Sequence, residues 1–248
     1  VTVYLTYLLA KRKKLVHPAL VFPLLSFASY FFLLSFSGLT EPAFGLFLII
    51  FLLLKDTQKE NLSALAAGCL PFIRPEGIVI LPFIVISYIR KRSYLPIIIL
   101  IIPAFIYMVL SFLITGDALF GLKSIPYLGS DVFGKGSVFH YARTLINVTG
   151  PVVFILFQIG FLSSLRQRLT LSHIIVIAVF AAHTYMWVHG NMGSAGYSRV
   201  LTPFLPILVL WAITGIGNLR TMNKKEIMFW TIVCITEGIL LFRFPPVG

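Results

Sequence analysis

Residues 18–36, 94–114 and 200–218 carry no charged side chain, and each run is close to the length that crosses a bilayer. A helix rises about 1.5 Å per residue, so about 20 apolar residues span the hydrocarbon core. Of 248 residues, 58% are hydrophobic and 11% are charged, too apolar a balance for a soluble domain to cover. The runs do not alternate with a period of two, which argues against a spanning β-barrel and leaves helices. The expected fold is all-α: a polytopic transmembrane helical bundle.

The net charge is +12, yet the basic residues sit in short clusters between apolar runs. These are Lys11 to Lys14, Lys55 with Lys59, Arg90 to Arg92, Arg166 with Arg168, and Arg220 with Lys224 and Lys225. Short basic loops beside spans are orientation signals, and without a soluble basic domain a nucleic-acid partner is excluded. Cys69 and Cys234 lie in apolar runs and read as buried small hydrophobes, not metal ligands. Residues 1–10 look like the end of a span, so the chain is expected to be the C-terminal portion of a longer protein, forming one membrane domain over 1–248.

Residues 61–89 are apolar except for a polar insert at Arg74-Pro75-Glu76-Gly77. Charges inside a membrane-length run are costly, and Pro and Gly break a helix. If the segment crosses twice and turns at the insert, fourteen of the 20 Lys and Arg residues fall on one side. If it crosses once, the basic residues divide eleven against eight with Arg74 left in the lipid. The positive-inside rule favours two crossings, each by a short helix. The expectation is therefore a partial span at 1–10 followed by nine, near 18–36, 43–54, 61–73, 78–89, 94–114, 151–164, 171–188, 200–218 and 227–242.

On that topology the basic loops face the cytoplasm. The far, extracytoplasmic or lumenal face receives Glu41, Arg74, Glu76, the loop 115–150, His189, Tyr197 and Arg199. The long loop adds Asp117, Asp131, His140, Tyr141 and Arg143. Cations there can pair a phosphate, and carboxylates can act as bases. Each also has a plainer reading. Arg74 with Glu76 makes an internal ion pair, Tyr197 with Arg199 an interfacial anchor, and Glu41 before Pro42 a favourable acid at a helix start. Glu237, His173 and His183 lie on spans and read first as polar contacts between helices. A divalent cation at the far-side carboxylates is compatible with the residue types, but no metal-binding spacing calls for one.

The order of Ser37-Gly38-Leu39-Thr40-Glu41-Pro42, Ile73-Arg74-Pro75-Glu76-Gly77 and Gly196-Tyr197-Ser198-Arg199-Val200-Leu201-Thr202-Pro203 resembles the membrane domain of the GT-C glycosyltransferases. The resemblance is to the polyprenyl- or dolichyl-phosphate-sugar-dependent, mannosyltransferase-like group and covers about residues 18–218. It implies transfer of a sugar, such as mannose, from a polyprenyl-phosphate donor to a glycan, lipid or protein acceptor on the far face. It implies a prokaryotic cytoplasmic membrane, or the endoplasmic reticulum membrane in a eukaryote. By the same resemblance Arg74 and Arg199 are candidate phosphate-binding or site-organising cations, with Glu41, Glu76 and Tyr197 as polar site residues. Asp117, His140 and His189 are weaker loop candidates. The family's catalytic acid follows its first span, so the base is expected upstream of Val1. Two other classes fit the composition: a transporter or flippase for a lipid-linked substrate, with polar groups near the midplane, and a non-catalytic membrane subunit.

Overall fold

A computed structural model describes residues 1–123, 134–190 and 196–219, together with isolated helical positions at 224–225, 228, 231–232 and 236. Among the described residues all regular structure is helical. The elements are α1 (Thr2–Arg12), a 3-10 turn (Pro18–Leu20), α2 (Val21–Ser26), α3 (Ser29–Ser35), α4 (Thr40–Asp56), α5 (Glu60–Ile73) and α6 (Glu76–Arg90). There follow α7 (Leu95–Thr115), α8 (Phe120–Lys123), α9 (His140–Thr149), α10 (Pro151–Gln167), α11 (Leu171–His189), a 3-10 segment (Ser198–Phe204) and α12 (Leu205–Leu219).

Three helical segments are long and apolar enough to cross a membrane: Leu95–Thr115, Leu171–His189 and Ser198–Leu219. A fourth arises if α9 and α10, bent by 116° at Gly150, are taken as one broken span. Gly150 turns the chain at φ 77°, a value L side chains disfavour, and Pro151 then opens α10 with its fixed φ. The remaining apolar helices are shorter, from 14 residues in α5 to 17 in α4. The expected span at 18–36 is instead split into two short helices, because Ala28 takes an extended conformation at φ −62° and ψ 127°. No Pro or Gly stands at the break. Its tertiary cause is packing in two directions, α2 against α12 and α3 against α9. The segment 115–150, expected as a loop, contains α9, and the expected span at 227–242 lies largely outside the described residues.

The centre of the bundle is the segment Ser198–Leu219, 89% of whose apolar window is buried by protein, against 17% for α7. α12 packs most closely against α10, where Gly160 faces Gly215 and a Cβ on Gly215 would lie 3.1 Å from the Gly160 nitrogen. Small residues at such a crossing let two backbones approach, a recurring solution between membrane helices. By contrast α7 packs on α5 along one face and exposes Ile98, Phe105, Phe112 and Leu113, and so broad an uncovered apolar surface suits contact with lipid.

The segment 61–89 forms a helical hairpin. Arg74 is extended (φ −151°, ψ 142°), as a residue before proline prefers, so α5 stops there and Pro75 becomes the cap of α6. The turn is closed by Gly77 N–H donating to the Arg74 carbonyl at 3.0 Å. A Cβ on Gly77 would lie 2.8 Å from the Leu70 carbonyl oxygen, which accounts for glycine there. At the other end of the hairpin the Tyr88 hydroxyl donates to Ser63 Oγ at 3.2 Å, so α5 and α6 run antiparallel and return the chain to the end it left. The bundle thus has a near end, with Lys55, Glu60 and Lys91, and a far end, with Glu41, Arg74 and Glu76.

Candidate functional site

At the far end Arg74 stands between two carboxylates. Its Nη1 lies 2.8 Å from Glu41 Oε1 and its Nη2 lies 2.8 Å from Glu76 Oε1. The Arg74 Nε also donates to Glu76 Oε2 at 3.1 Å, and Nη1 donates to Thr40 Oγ1 at 3.2 Å. Glu76 thus receives a two-pronged guanidinium contact, the strongest geometry for such a pair. Local structure explains the meeting. Glu41 and Glu76 occupy the first turns of α4 and α6, where the helix dipole favours an anion, and Arg74 ends α5 between them.

The cluster is deeply enclosed, with side-chain exposures of 14% for Arg74, 3% for Glu41 and 8% for Glu76. Two further residues extend it. His183 of α11 places Nε2 3.5 Å from Glu76 Oε1, beyond a good hydrogen bond. Arg199 places Nε 3.7 Å from Glu41 Oε1, its side chain 41% exposed and its guanidinium 4.8 Å from the centre of the Tyr197 ring. Among the described residues Glu41 Oε2, His183 Nε2, Trp187 Nε1 and Thr202 Oγ1 here, and Glu60 Oε2 at the near end, are buried without a hydrogen-bond partner. Buried polar atoms are nearly always satisfied, so four orphans on α4, α11 and the Ser198–Phe204 segment mark this end as incomplete as a purely structural network.

The aromatic side of the cluster runs along α11. His183 packs against the Tyr141 ring at 5.7 Å between centroids, and Trp187, one turn on, packs against His140 at 5.2 Å. His140 Nε2 bonds the Gly196 carbonyl. A carbonyl only accepts, so Nε2 carries the proton. This bond ties α9 to the residues just before Tyr197 and Arg199.

Five expected residues therefore gather at one end: Glu41, Arg74, Glu76, Tyr197 and Arg199. His140 adjoins them through Gly196. Asp117 stands apart, half-exposed and bound to Lys123 Nζ at 2.6 Å, a hydrogen bond that holds its carboxyl below the usual carboxylate range. His189 is exposed at the end of α11, with Nδ1 donating to the Tyr185 carbonyl at 2.8 Å. Asp131 and Glu237 lie outside the described residues. Within the cluster the roles divide. The guanidinium of Arg74 is taken up by Glu41, Glu76 and Thr40, which suits an organising cation and leaves little to offer a phosphate. Arg199, half-exposed, is met among the described residues by Glu41 at 3.7 Å and by the face of the Tyr197 ring, and makes no closer ion pair there. Arg74 lies between Glu41 and Glu76, binding one oxygen of the first and both oxygens of the second. No group of three His, Cys, Asp or Glu able to hold a metal occurs among the described residues.

Sequence reasoning missed His183 and Trp187 as members of this site. The available signal was the intramembrane His, a costly residue on a span, with Trp187 four positions on and hence on the same helix face. His173, on the same helix, is the interhelical contact it was expected to be. The Thr170 backbone N–H donates to its Nδ1 at 3.1 Å, so the proton is on Nε2, which donates to Ser164 Oγ at 2.9 Å.

An apolar cavity of about 630 Å³ runs along α11, and none of the cluster's residues lines it. Leu145, Phe157, Phe161, Val176, Phe180 and Leu208 line its length, and Tyr185 and His189 stand at its polar edge. Comparison of the chain with protein-family models, curated proteins and solved structures finds no match.

Proposed function

We propose that the protein is a GT-C-type membrane glycosyltransferase, or the C-terminal part of one, acting on a polyprenyl-phosphate sugar at the far end of the bundle. In this reading α2 with α3 crosses as one broken span and α4, α5, α6 and α10 as short spans, which with the three long spans and the span expected at 227–242 makes nine, and the far end is the extracytoplasmic or lumenal face. The observation that carries it is Arg199, a half-exposed guanidinium over Tyr197. It lies at the same end of the bundle as the polar edge of a long apolar cavity, and a phosphate joined to an isoprenoid tail asks for that pairing of a cation with an apolar channel.

The chemistry follows from the roles just described. An acceptor hydroxyl attacks the anomeric carbon and gives up its proton to interfacial water, the bond from that carbon to the lipid-phosphate oxygen breaks, and the departing phosphate gains charge that Arg199 stabilises. Arg74 positions Glu41, which in turn faces Arg199. No base is assigned within the cluster, because both carboxylates are held by Arg74. Among the described residues the ion pairs collect at the two ends of the bundle and not at mid-depth, which favours an interfacial transferase over a carrier of lipid-linked substrates.

The test is transfer from a polyprenyl-phosphate mannose donor by the chain in native membranes. Arg199→Ala is expected to lower the rate about a hundredfold, as for loss of one donor to a developing anion, while expression and folding are retained. Arg199→Lys keeps the charge and loses the planar fork, so an intermediate rate is expected. Full activity of Arg199→Ala would remove that residue from the role.

A further inference from the structure

His173 lies on a span, is buried, and takes no part in the carboxylate–arginine cluster. A polar side chain there is costly and asks for a reason. Its ring is fixed at both nitrogens, by the Thr170 backbone N–H at Nδ1 and by Ser164 Oγ at Nε2. So fixed, it stacks on the Trp211 indole, with centroids 4.8 Å apart and planes 27° apart. Phe161 completes the group, edge-on to Trp211 at 5.0 Å and 5.4 Å from His173. One ring comes from each of α10, α11 and α12, and aromatic pairs at these separations gain more than their buried area alone.

The three rings stand between two cavities. Phe161 lines the cavity of about 630 Å³ along α11, His173 lines a second of about 350 Å³ at the near end, and Trp211 lines both. The larger cavity opens sideways. Ile177, Ala181, Tyr185 and His189 are exposed, follow one another at four-residue steps on one face of α11, and all line it. α11 is long and apolar enough to cross a membrane, so this open side meets hydrocarbon over most of its length. From Val176, one turn beyond His173, to His189 the helix rises about 20 Å. A partner helix of that length, about 10 Å across, would occupy roughly 1,500 Å³, more than twice the cavity. A single hydrocarbon chain is narrow enough to enter.

We propose that Trp211, braced by His173 and Phe161, is the stop that ends the bound part of an isoprenoid chain lying lengthwise in the α11 cavity. That the chain is isoprenoid rests on the glycosyltransferase reading, whereas the stop rests on the ring geometry. The phosphate end lies toward Tyr185 and His189, and the chain runs along α11 until it meets the indole. Whatever exceeds the cavity leaves through the open side into the bilayer. A longer carrier is therefore accepted, but only the part between His189 and Trp211 is gripped. The same indole keeps the chain out of the near-end cavity, whose wall is partly polar, with Ser164, Thr170 and Asp56.

The test is photolabelling of the full chain in phosphatidylcholine nanodiscs by geranylgeranyl phosphate with a diazirine on its last isoprene unit, the labelled residues being read by mass spectrometry. Extended, that chain is about 20 Å long, the length of the cavity. In the unaltered protein the label is expected on Phe161 and Val176. In Trp211→Ala it should move to Leu171 and Ile207 of the near-end cavity, and Trp211→Phe, which keeps a ring at the stop, should hold it at Val176. Ala181→Trp fills the open side from an exposed position and should remove the label. Hexaprenyl phosphate with the same terminal group overshoots the stop, so in the unaltered protein its label should miss the near-end cavity. That measurement decides the matter if Trp211→Ala fails to fold. Near-end labelling of the unaltered protein by either probe, an unmoved label in folded Trp211→Ala, or no geranylgeranyl label in the cavity overturns the stop. Hexadecyl phosphate bearing the diazirine should label more weakly, and equal labelling overturns the isoprenoid occupant. A chain labelled at Val176 that transfers no sugar keeps the stop and removes the glycosyltransferase reading, so the two fail separately.

Discussion

The two ends of the α4–α6 unit are built from the same kinds of ion pair in opposite surroundings. At the near end Lys91 meets Glu60 at 2.5 Å with side-chain exposures of 43% and 17%, and Arg12 meets Asp56 at 3.0 Å. At the far end Arg74 joins two carboxylates that are almost wholly enclosed. Water and salt screen the first set, and exposed pairs contribute about 0–1 kcal/mol. Nothing screens the second, so removing one member leaves a buried charge uncompensated. Distance therefore says little about what these contacts do. Enclosure makes the near pairs orientation anchors and the far cluster a specification of how three helix ends must meet.

The broadest way to break this comparison is to place both ends on one side of the membrane. Single cysteines at Ser37, beside the far cluster, and Lys59, beside the near pairs, should react with a membrane-impermeant thiol reagent from opposite sides. Labelling of both from the same side would end the distinction between the two faces. Next in size is Arg74→Ala, which strands Glu41 and Glu76 and should cost about 3–5 kcal/mol, read as loss of the folded fraction on heating in detergent. Survival of that variant with an unchanged melting temperature would show the cluster to be solvated. The smallest effect belongs to Lys91→Ala, expected to change stability by under about 1 kcal/mol and less still at high salt. A loss comparable to that of Arg74→Ala would erase the contrast between the ends.

Much of the site was legible before the structure, for reasons visible in particular residues. Arg74-Pro75-Glu76-Gly77 carries its own instruction: proline forces its predecessor out of the helix, glycine admits the tight return, and charge placement sets the side. The acids at the starts of α4 and α6 follow from the helix dipole. His183 and Trp187 were not legible as partners of Glu76 and His140, because which face of α11 meets which neighbour depends on packing between segments far apart in the chain. The break at Ala28 was equally hidden, since the residues around it are as apolar and helix-compatible as their neighbours.

By itself the sequence determined that this chain is helical and made for a membrane, and that 61–89 folds back on itself, because hydropathy, proline stereochemistry and charge act locally along the chain. Only the tertiary structure decided that Arg74 is committed to its carboxylates while Arg199 stays half-exposed, and which apolar runs become one helix or two. Those outcomes depend on which donors find partners and which faces find cover, and both are properties of the assembled bundle.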